Sequence, residues 1–243
     1  MRIKTPINKE TVTGHMHYSL WKYVLIIAAA WMGWSLIYTV TTYRSPQDKR
    51  IDLYVQSYTA TTESVNAFVA PIWKEAVPDV ETVESVILLP LDDMSTSQQL
   101  FTYAMAGEMD VVFLNKQYFK SFAEQSVFIP LDELVENGTV DVGDIDLSNG
   151  YVTVVVETDE QDRPVKTARH LYGIPLDTFY GFMNGMQLDN RDMFAAIMVN
   201  NGNDDNVTAF FNALLQAGRG EQESWMAEYQ EQGNGQSGET ETK

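Results

Sequence analysis

The chain has 243 residues with 34 Asp plus Glu against 16 Lys plus Arg, and the acid is concentrated: residues 1–50 hold seven basic and two acidic residues, leaving nine basic against 32 acidic, a net of −23. A surface that negative repels phosphate backbones and argues against nucleic acid as a partner. The absence of cysteine excludes disulfides, thiolate metal sites, a Cys nucleophile and a lipid-modified Cys anchor.

From Tyr23 to Val40, "YVLIIAAAWMGWSLIYTV" runs 18 residues without a charge, the length a helix needs to cross about 30 Å of hydrocarbon. Trp21, Tyr23, Tyr38 and Tyr43 sit near its ends, and aromatics favour the headgroup level. A cleaved signal peptide is the competing reading, but its apolar region is shorter and ends in small residues, which "TTYRSPQDKR" does not provide. The segment is therefore expected to be retained: 1–22 cytoplasmic, 23–43 a transmembrane anchor and 44–50 a linker. Arg2, Lys4, Lys9 and Lys22 precede the span while Arg44, Lys49 and Arg50 follow it, a thin margin for N-terminus inside by the positive-inside rule. An early span ahead of a large acidic domain gives the same orientation, so the expected location is the cell membrane, single-pass, with the domain facing outside.

Beyond the linker, "IDLYVQSY" is rich in β-branched and aromatic residues and reads as a strand. The period then changes: Val65, Phe68, Val69, Ile72, Trp73 and Ala76 recur at helical spacing, with Thr61 or Thr62 as cap and Glu63 at the positive end. Trp73 falls on that apolar face and reads as core. Pro71 is expected to kink or split the helix, and Pro78 to end it.

"VETVESVILL", Val80 to Leu89, is a second strand closed by Pro90. "STSQ", Ser95 to Gln98, has capping-box spacing, with Leu100, Phe101, Ala104 and Met105 on one face and Gly107 as the stop. "MDVVFL" is strand three, with a helix around Phe119, Phe122 and Ala123. Three strand–helix repeats imply parallel pairing in a layered α/β domain.

Downstream the chain is β-rich. "YVTVVVET" and "VKTARHLYGIPL" flank the polar turn "DEQDRP" as a hairpin, and "MFAAIMVN" reads as a further strand. Val207, Phe210, Phe211, Leu214 and Leu215 form one face of a closing helix, and residues 219–243 are a polar, disordered tail that includes Trp225. About 170 residues, 51–218, thus form one domain with its own core.

In open α/β sheets, ligands sit beyond the carboxyl ends of the strands. That rule selects Ser57, Tyr58 and Thr59 after strand one, Asp92 and Asp93 after strand two, and Asn115 after strand three. The competing account is that these are turn and cap residues on a solvated edge. Other chemistry finds no support. "DVGDIDLSNG" fails the EF-hand loop, its Gly one place late after Asp144 and its twelfth position lacking Glu. His170 stands alone in the domain, and the chain has no G-x-S-x-G, H-E-x-x-H, P-loop or dinucleotide fingerprint. No enzyme, cofactor or metal site is expected.

The stretches "IDLYVQSY", "AGEMDVVFLNKQYFKSFAEQSVFIPLDEL", "LYGIPLD" and "NDDNVTAFFNALL", in this order, resemble the extracellular solute-binding proteins of ABC importers, with the type 2 periplasmic-binding fold. The resemblance spans Ile51 to Ala217 and implies a solute-binding module for sugars or similar solutes, ABC transporter components as partners, and Tyr172, Asp177 and Tyr180 as further site residues near a hinge-like segment. Such proteins have two lobes that close on the ligand. Here about 25 residues separate "YGIPLD" from the final helix, too few for a second α/β lobe. The expected architecture is a single three-layer α/β lobe, mainly parallel, plus a hairpin and preceded by one transmembrane helix. A second protein then completes the cleft, or the open half-site binds weakly, or the lobe serves assembly by pairing with a partner chain.

Overall fold

The computed structural model describes residues 9–41, 45–89, 93–158, 164–199 and 204–220. The chain divides into two compact units, Met1–Arg44 and Ser45–Lys243. The first contains one helix, α1 (Lys9–Thr41), which begins well ahead of the predicted span. Its segment Leu20–Thr39, 20 residues with a mean hydropathy of 1.5, is long and apolar enough to cross a membrane. Trp21, Trp31 and Trp34 are exposed on it. Thr39 and Thr41 donate their hydroxyls to the carbonyls of Ser35 and Ile37, which satisfies both polar groups within the helix.

The second unit is built on a five-stranded sheet in the order β2-β1-β3-β7-β6. β1 (Arg50–Gln56) lies parallel to β2 (Thr82–Leu88) and to β3 (Val111–Asn115). β7 (Met193–Ile197) runs antiparallel between β3 and the two-residue β6 (Ile174–Pro175). A separate antiparallel pair joins β4 (Tyr151–Thr158) to β5 (Pro164–Leu171). The mainly parallel α/β lobe and the hairpin are thus as expected from the sequence.

Strand alternation divides the core. Ile51, Leu53 and Val55 of β1 with Val111, Phe113, Ala195 and Ile197 face one layer, where they meet α2 (Thr62–Ala76), α6 (Tyr180–Met186) and α7 (Asp204–Gly218) through Val65, Val69, Phe182, Met186, Phe210, Phe211 and Leu214. Tyr54, Val112, Leu114, Phe194 and Ala196 face the other layer, where α3 (Asp93–Ala106), α4 (Lys116–Glu124) and the hairpin contribute Leu100, Phe119, Phe122, Val152 and Val154. Phe119 stacks on Phe194 with centroids 4.5 Å apart and on Phe128 at 5.8 Å. Each buried Phe contributes roughly 1.5–3 kcal/mol of transfer free energy, so these rings dominate the second layer. The short helix α5 (Asp132–Glu136) links α4 to the hairpin.

The local signals for helix ends succeed in two places. Thr61 caps α2, its hydroxyl oxygen accepting from Ser64 N while the Ser64 hydroxyl oxygen accepts from Thr61 N. Gly107 adopts φ +65° after α3, with Gly107 N donating to Ala104 O and Glu108 N to Tyr103 O, the paired bonds of a Schellman stop.

Three expectations are corrected, and the choice left open at Pro71 is narrowed. Pro71 sits inside α2 without splitting it, at an exposed position. α3 begins at Asp93, so Ser95 lies in its first turn rather than ahead of it. The apolar face of α3 is Leu100 with Tyr103 and Ala104, the Tyr103 ring meeting Tyr54 of β1 at 5.2 Å, while Phe101 and Met105 are exposed. The predicted hairpin partner also divides: β5 ends at Leu171, and Ile174–Pro175 join the main sheet. Asp92, the turn 159–163 and residues 221–243, with Trp225, lie outside the described residues.

α6 had no counterpart in the periodicity, because "YGFMNGM" carries two glycines. The fold requires both: a Cβ on Gly185 would collide with the Phe68 ring. A Cβ on Gly181 would stand 2.7 Å from the carbonyl oxygens of Ala217 and Gly218, so α6 meets the end of α7 backbone to backbone.

Candidate functional site

The carboxyl ends of β1, β2, β3 and β6 lie along one edge of the sheet, together with the start of the antiparallel β7. At the end of β1 the Ser57 amide donates to Leu88 O at 3.1 Å, continuing the β1–β2 ladder by one bond. The Ser57 hydroxyl oxygen accepts from Thr59 N at 3.0 Å and Ala60 N at 2.9 Å. Ser57 is therefore buried and occupied in forming the turn. The turn lifts Tyr58 to its apex, 72% exposed. Leu89, one residue past β2, is also exposed.

Thr59 ties this turn to the loop between α6 and β7. Its hydroxyl donates to Gln187 O at 2.6 Å and accepts from Asp189 N at 3.3 Å. Ser64 adds a bond to Met186 O at 2.8 Å. Gln187 and Asp192 bound this loop with φ of +58° and +52°, left-handed conformations that disfavour residues with a side chain. Within it the Arg191 guanidinium grips Asp189 through Nε at 2.8 Å and Nη2 at 2.6 Å, which holds the Asp189 carboxyl below the usual range. Asn190 is fully buried and donates its amide to the carbonyls of Leu176 and Phe179, joining the loop to the end of β6.

Asn115 ends β3 and caps α4, its Oδ1 accepting from Tyr118 N at 3.0 Å. Lys116 N donates to Asp192 O at 2.9 Å, and Asp177 Oδ1 accepts from Asp192 N at 2.8 Å. Ser57, Tyr58, Thr59, Asn115 and Asp177 are thus brought to one edge. Tyr180 opens α6 half-buried, three residues beyond Asp177. Asp93 is the first residue of α3.

Tyr172 is not brought to this edge. The parallel course of β6 puts Ile174 level with Phe113 through their shared partner Ala195, so Tyr172, two residues earlier, falls at the amino ends of the strands. There it is buried, its amide donates to Gly150 O at 3.1 Å, and its ring meets His170 edge-on at 6.1 Å. Burial raises its phenol, as befits a core ring.

One residue of the site had escaped the pattern rules. Gln56, the last residue of β1, is 3% exposed. Its Oε1 accepts from Asn115 N at 2.9 Å, which fixes the orientation of the amide. Its Nε2 is buried with no hydrogen-bond partner among the described residues, as are Asn190 Oδ1 on the loop after α6 and Ser85 Oγ inside β2. The signal of Gln56 in the sequence was a polar amide closing an apolar strand, immediately before the turn residues. No group of His, Asp or Glu among the described residues is arranged to hold a metal.

No protein-family model and no curated protein matches the chain. Solved structures similar to it include an extracellular solute-binding protein of family 1 from Alicyclobacillus acidocaldarius, at 18% identity over 54% of this chain and 29% of that one, TM-score 0.37. They also include an ABC substrate-binding protein from Listeria monocytogenes in complex with cycloalternan, at 20% identity over 51% and 28%, TM-score 0.31. A third is the apo-form of RafE from Streptococcus pneumoniae, at 15% over 55% and 29%, TM-score 0.31. The chain spans less than a third of the length of each, and the likeness is one of partial fold.

Proposed function

We propose that the chain is a membrane-tethered, extracytoplasmic module that recognises a neutral, hydroxyl-bearing solute at the carboxyl edge of its sheet, as a solute-binding component of ABC-type uptake. The observation that carries the reading is the Gln56 amide. A buried donor without an acceptor costs about 1–3 kcal/mol, and native folds keep few of them. This one lies where open α/β sheets present their ligands, locked by its own oxygen to the residue that caps α4. Such a donor is left for an acceptor that the described residues do not supply. The net of −23 beyond residue 50 disfavours an anion, which leaves hydroxyl or carbonyl oxygens, and the exposed Tyr58 ring offers a flat apolar surface beside them. Sugars as the solute class follow from the resemblance read in the sequence. α1 supplies the tether, and protease shaving of intact cells should remove the domain; a protected domain contradicts an outward orientation.

Recognition is tested by thermal shift of the full chain in detergent against maltotriose and trialanine. The expected result is a rise in Tm with maltotriose that Tyr58→Ala reduces by at least half. No shift with either probe at millimolar concentration counts against solute binding.

A second reading is favoured by the exposure of both Tyr58 and Leu89 at the ends of neighbouring strands. In this reading the edge packs against another chain that completes the cleft. Crosslinking through residue 58 in native membranes then gives one discrete heavier product, and a strictly monomeric pattern excludes it.

A further inference from the structure

The central sheet ends differently on its two sides. On one side the outermost strand is β6, two residues long and closed by Pro175, which offers little backbone for pairing. On the other it is β2, seven residues in unbroken register with β1 from Thr82 to Leu88. β2 carries no proline, no lysine and no bulge, the devices that commonly keep an outer strand from pairing. Among the described residues no strand pairs with its open side.

The residues of β2 divide by face. Val83 and Ile87 pack half-buried in the layer of α2, and Val86 packs with the buried Leu88 in the layer of α3. Glu84 is exposed. Strand alternation sets Ser85 on the face of Val83 and Ile87; it is 8% exposed, and its Oγ is buried without a hydrogen-bond partner among the described residues. The backbone has the same period. Ser57 N donates to Leu88 O, so Leu88, Val86 and Glu84 turn their amides and carbonyls toward β1, while those of Val83, Ser85 and Ile87 point to the open side.

We propose that β2 is a self-association edge: a second copy of this chain adds its own β2 antiparallel, about a two-fold axis at Ser85, and continues the sheet across the pair. Ser85 is the middle residue of "TVESVIL", and the strand is self-complementary about it. The axis sets Ser85 opposite its own counterpart, Val83 opposite Ile87, Glu84 opposite Val86 and Thr82 opposite Leu88. The outward amides and carbonyls of Val83, Ser85 and Ile87 then answer those of the second copy, in the isologous manner of a two-fold interface. Val83 and Ile87 extend the apolar layer of α2 across the join. Glu84 meets Val86 rather than another carboxylate, so no like charges stand directly opposed. The two Ser85 hydroxyls come within cross-strand reach and supply each other's missing bond. An unrelated strand would need a hydroxyl at that one position; the second copy brings it by symmetry. This surface is separate from the carboxyl edge, and the pairing does not depend on solute binding there.

Sedimentation of the full chain in detergent tests the pairing. At micromolar concentration the wild type should be a dimer, and added salt should strengthen it, because each copy carries a net of −23 beyond residue 50 and salt screens their repulsion. Val83→Lys puts an ammonium opposite Ile87 and should raise the dissociation constant by at least about tenfold. A monomeric wild type, or a dimer that Val83→Lys leaves unchanged, overturns the proposal. Should Val83→Lys not fold, register decides, in a chain that has no cysteine of its own. Directly opposite residues that exchange backbone bonds have Cα atoms about 5.5 Å apart, within disulfide range. Under mild oxidation in native membranes the near-isosteric Ser85→Cys should therefore give a disulfide-linked dimer, while Glu84→Cys and Val86→Cys stay largely monomeric alone and crosslink when expressed together. Failure of Ser85→Cys to crosslink, or Glu84→Cys alone crosslinking as strongly, overturns it.

Discussion

The two edges of the central sheet use buried polar groups in opposite ways. At the amino edge the buried carboxyl of Asp110 is answered by the Asp52 amide and that of Asp52 by Arg50, and Met198 N donates to Asp110 O. At the carboxyl edge the hydroxyls of Ser57, Thr59 and Ser64 are likewise committed, to turns and to the loop 187–192, yet Gln56 Nε2 and Asn190 Oδ1 remain buried and unanswered. The difference lies in the state of each hydrogen bond, and Ser85 Oγ, unpartnered inside β2, shows that an unanswered group is not confined to the carboxyl edge.

The largest test strikes the frame of the carboxyl edge. Asn190→Ala removes two amide bonds and leaves the Leu176 and Phe179 carbonyls buried, at a cost of about 2–4 kcal/mol. Denaturant unfolding should show this as a lower midpoint with an unchanged slope. A loss below 1 kcal/mol would mean that this edge is held by packing alone. Next in size, Thr59→Val removes the tie between the β1 turn and the loop at nearly constant volume, and should cost about 1 kcal/mol. Amide exchange at Asp189 should rise while that at Met198 stays constant. A rise at both would show that the two edges are coupled, and the comparison would fail.

How much of this was legible in the sequence depends on what carried the information. From Ile51 to Glu124 apolar strand runs alternate with helical spacing of 3.6 residues, and β1 through α4 follow it. β1, β3 and β7 are all buried along nearly their whole length, so "MFAAI" marks a strand, while its antiparallel course is set by its pairing with β3 and β6. α6 was hidden because Gly181 serves a close helix crossing rather than helix propensity. The end-of-strand rule brought Ser57, Tyr58, Thr59 and Asn115 together, since it needs only strand positions. Tyr172 was assigned by resemblance, and the level at which a two-residue strand enters the sheet put it at the other end. Asp52 and Asp110, charged residues inside the apolar runs "IDLYV" and "MDVVFL", carried a signal that alternation alone assigns to solvent; their burial depends on meeting each other across strands.

The smallest expected change is the most informative. Gln56→Leu removes the unanswered Nε2, whose desolvation costs about 1–3 kcal/mol, and also the acceptor of the Asn115 amide, a bond of about 1 kcal/mol. For a polar residue that serves the fold, both changes count as losses and the domain is destabilised. For a donor held in reserve the first change is a gain that offsets the second, and the unfolding midpoint of the ligand-free chain should stay constant or rise. The carboxyl edge would then follow the trade-off in which a functional site is held at the expense of stability. A fall of 2 kcal/mol or more would instead place Gln56 with Asp52 and Asp110, as one more polar group whose work is to join strands.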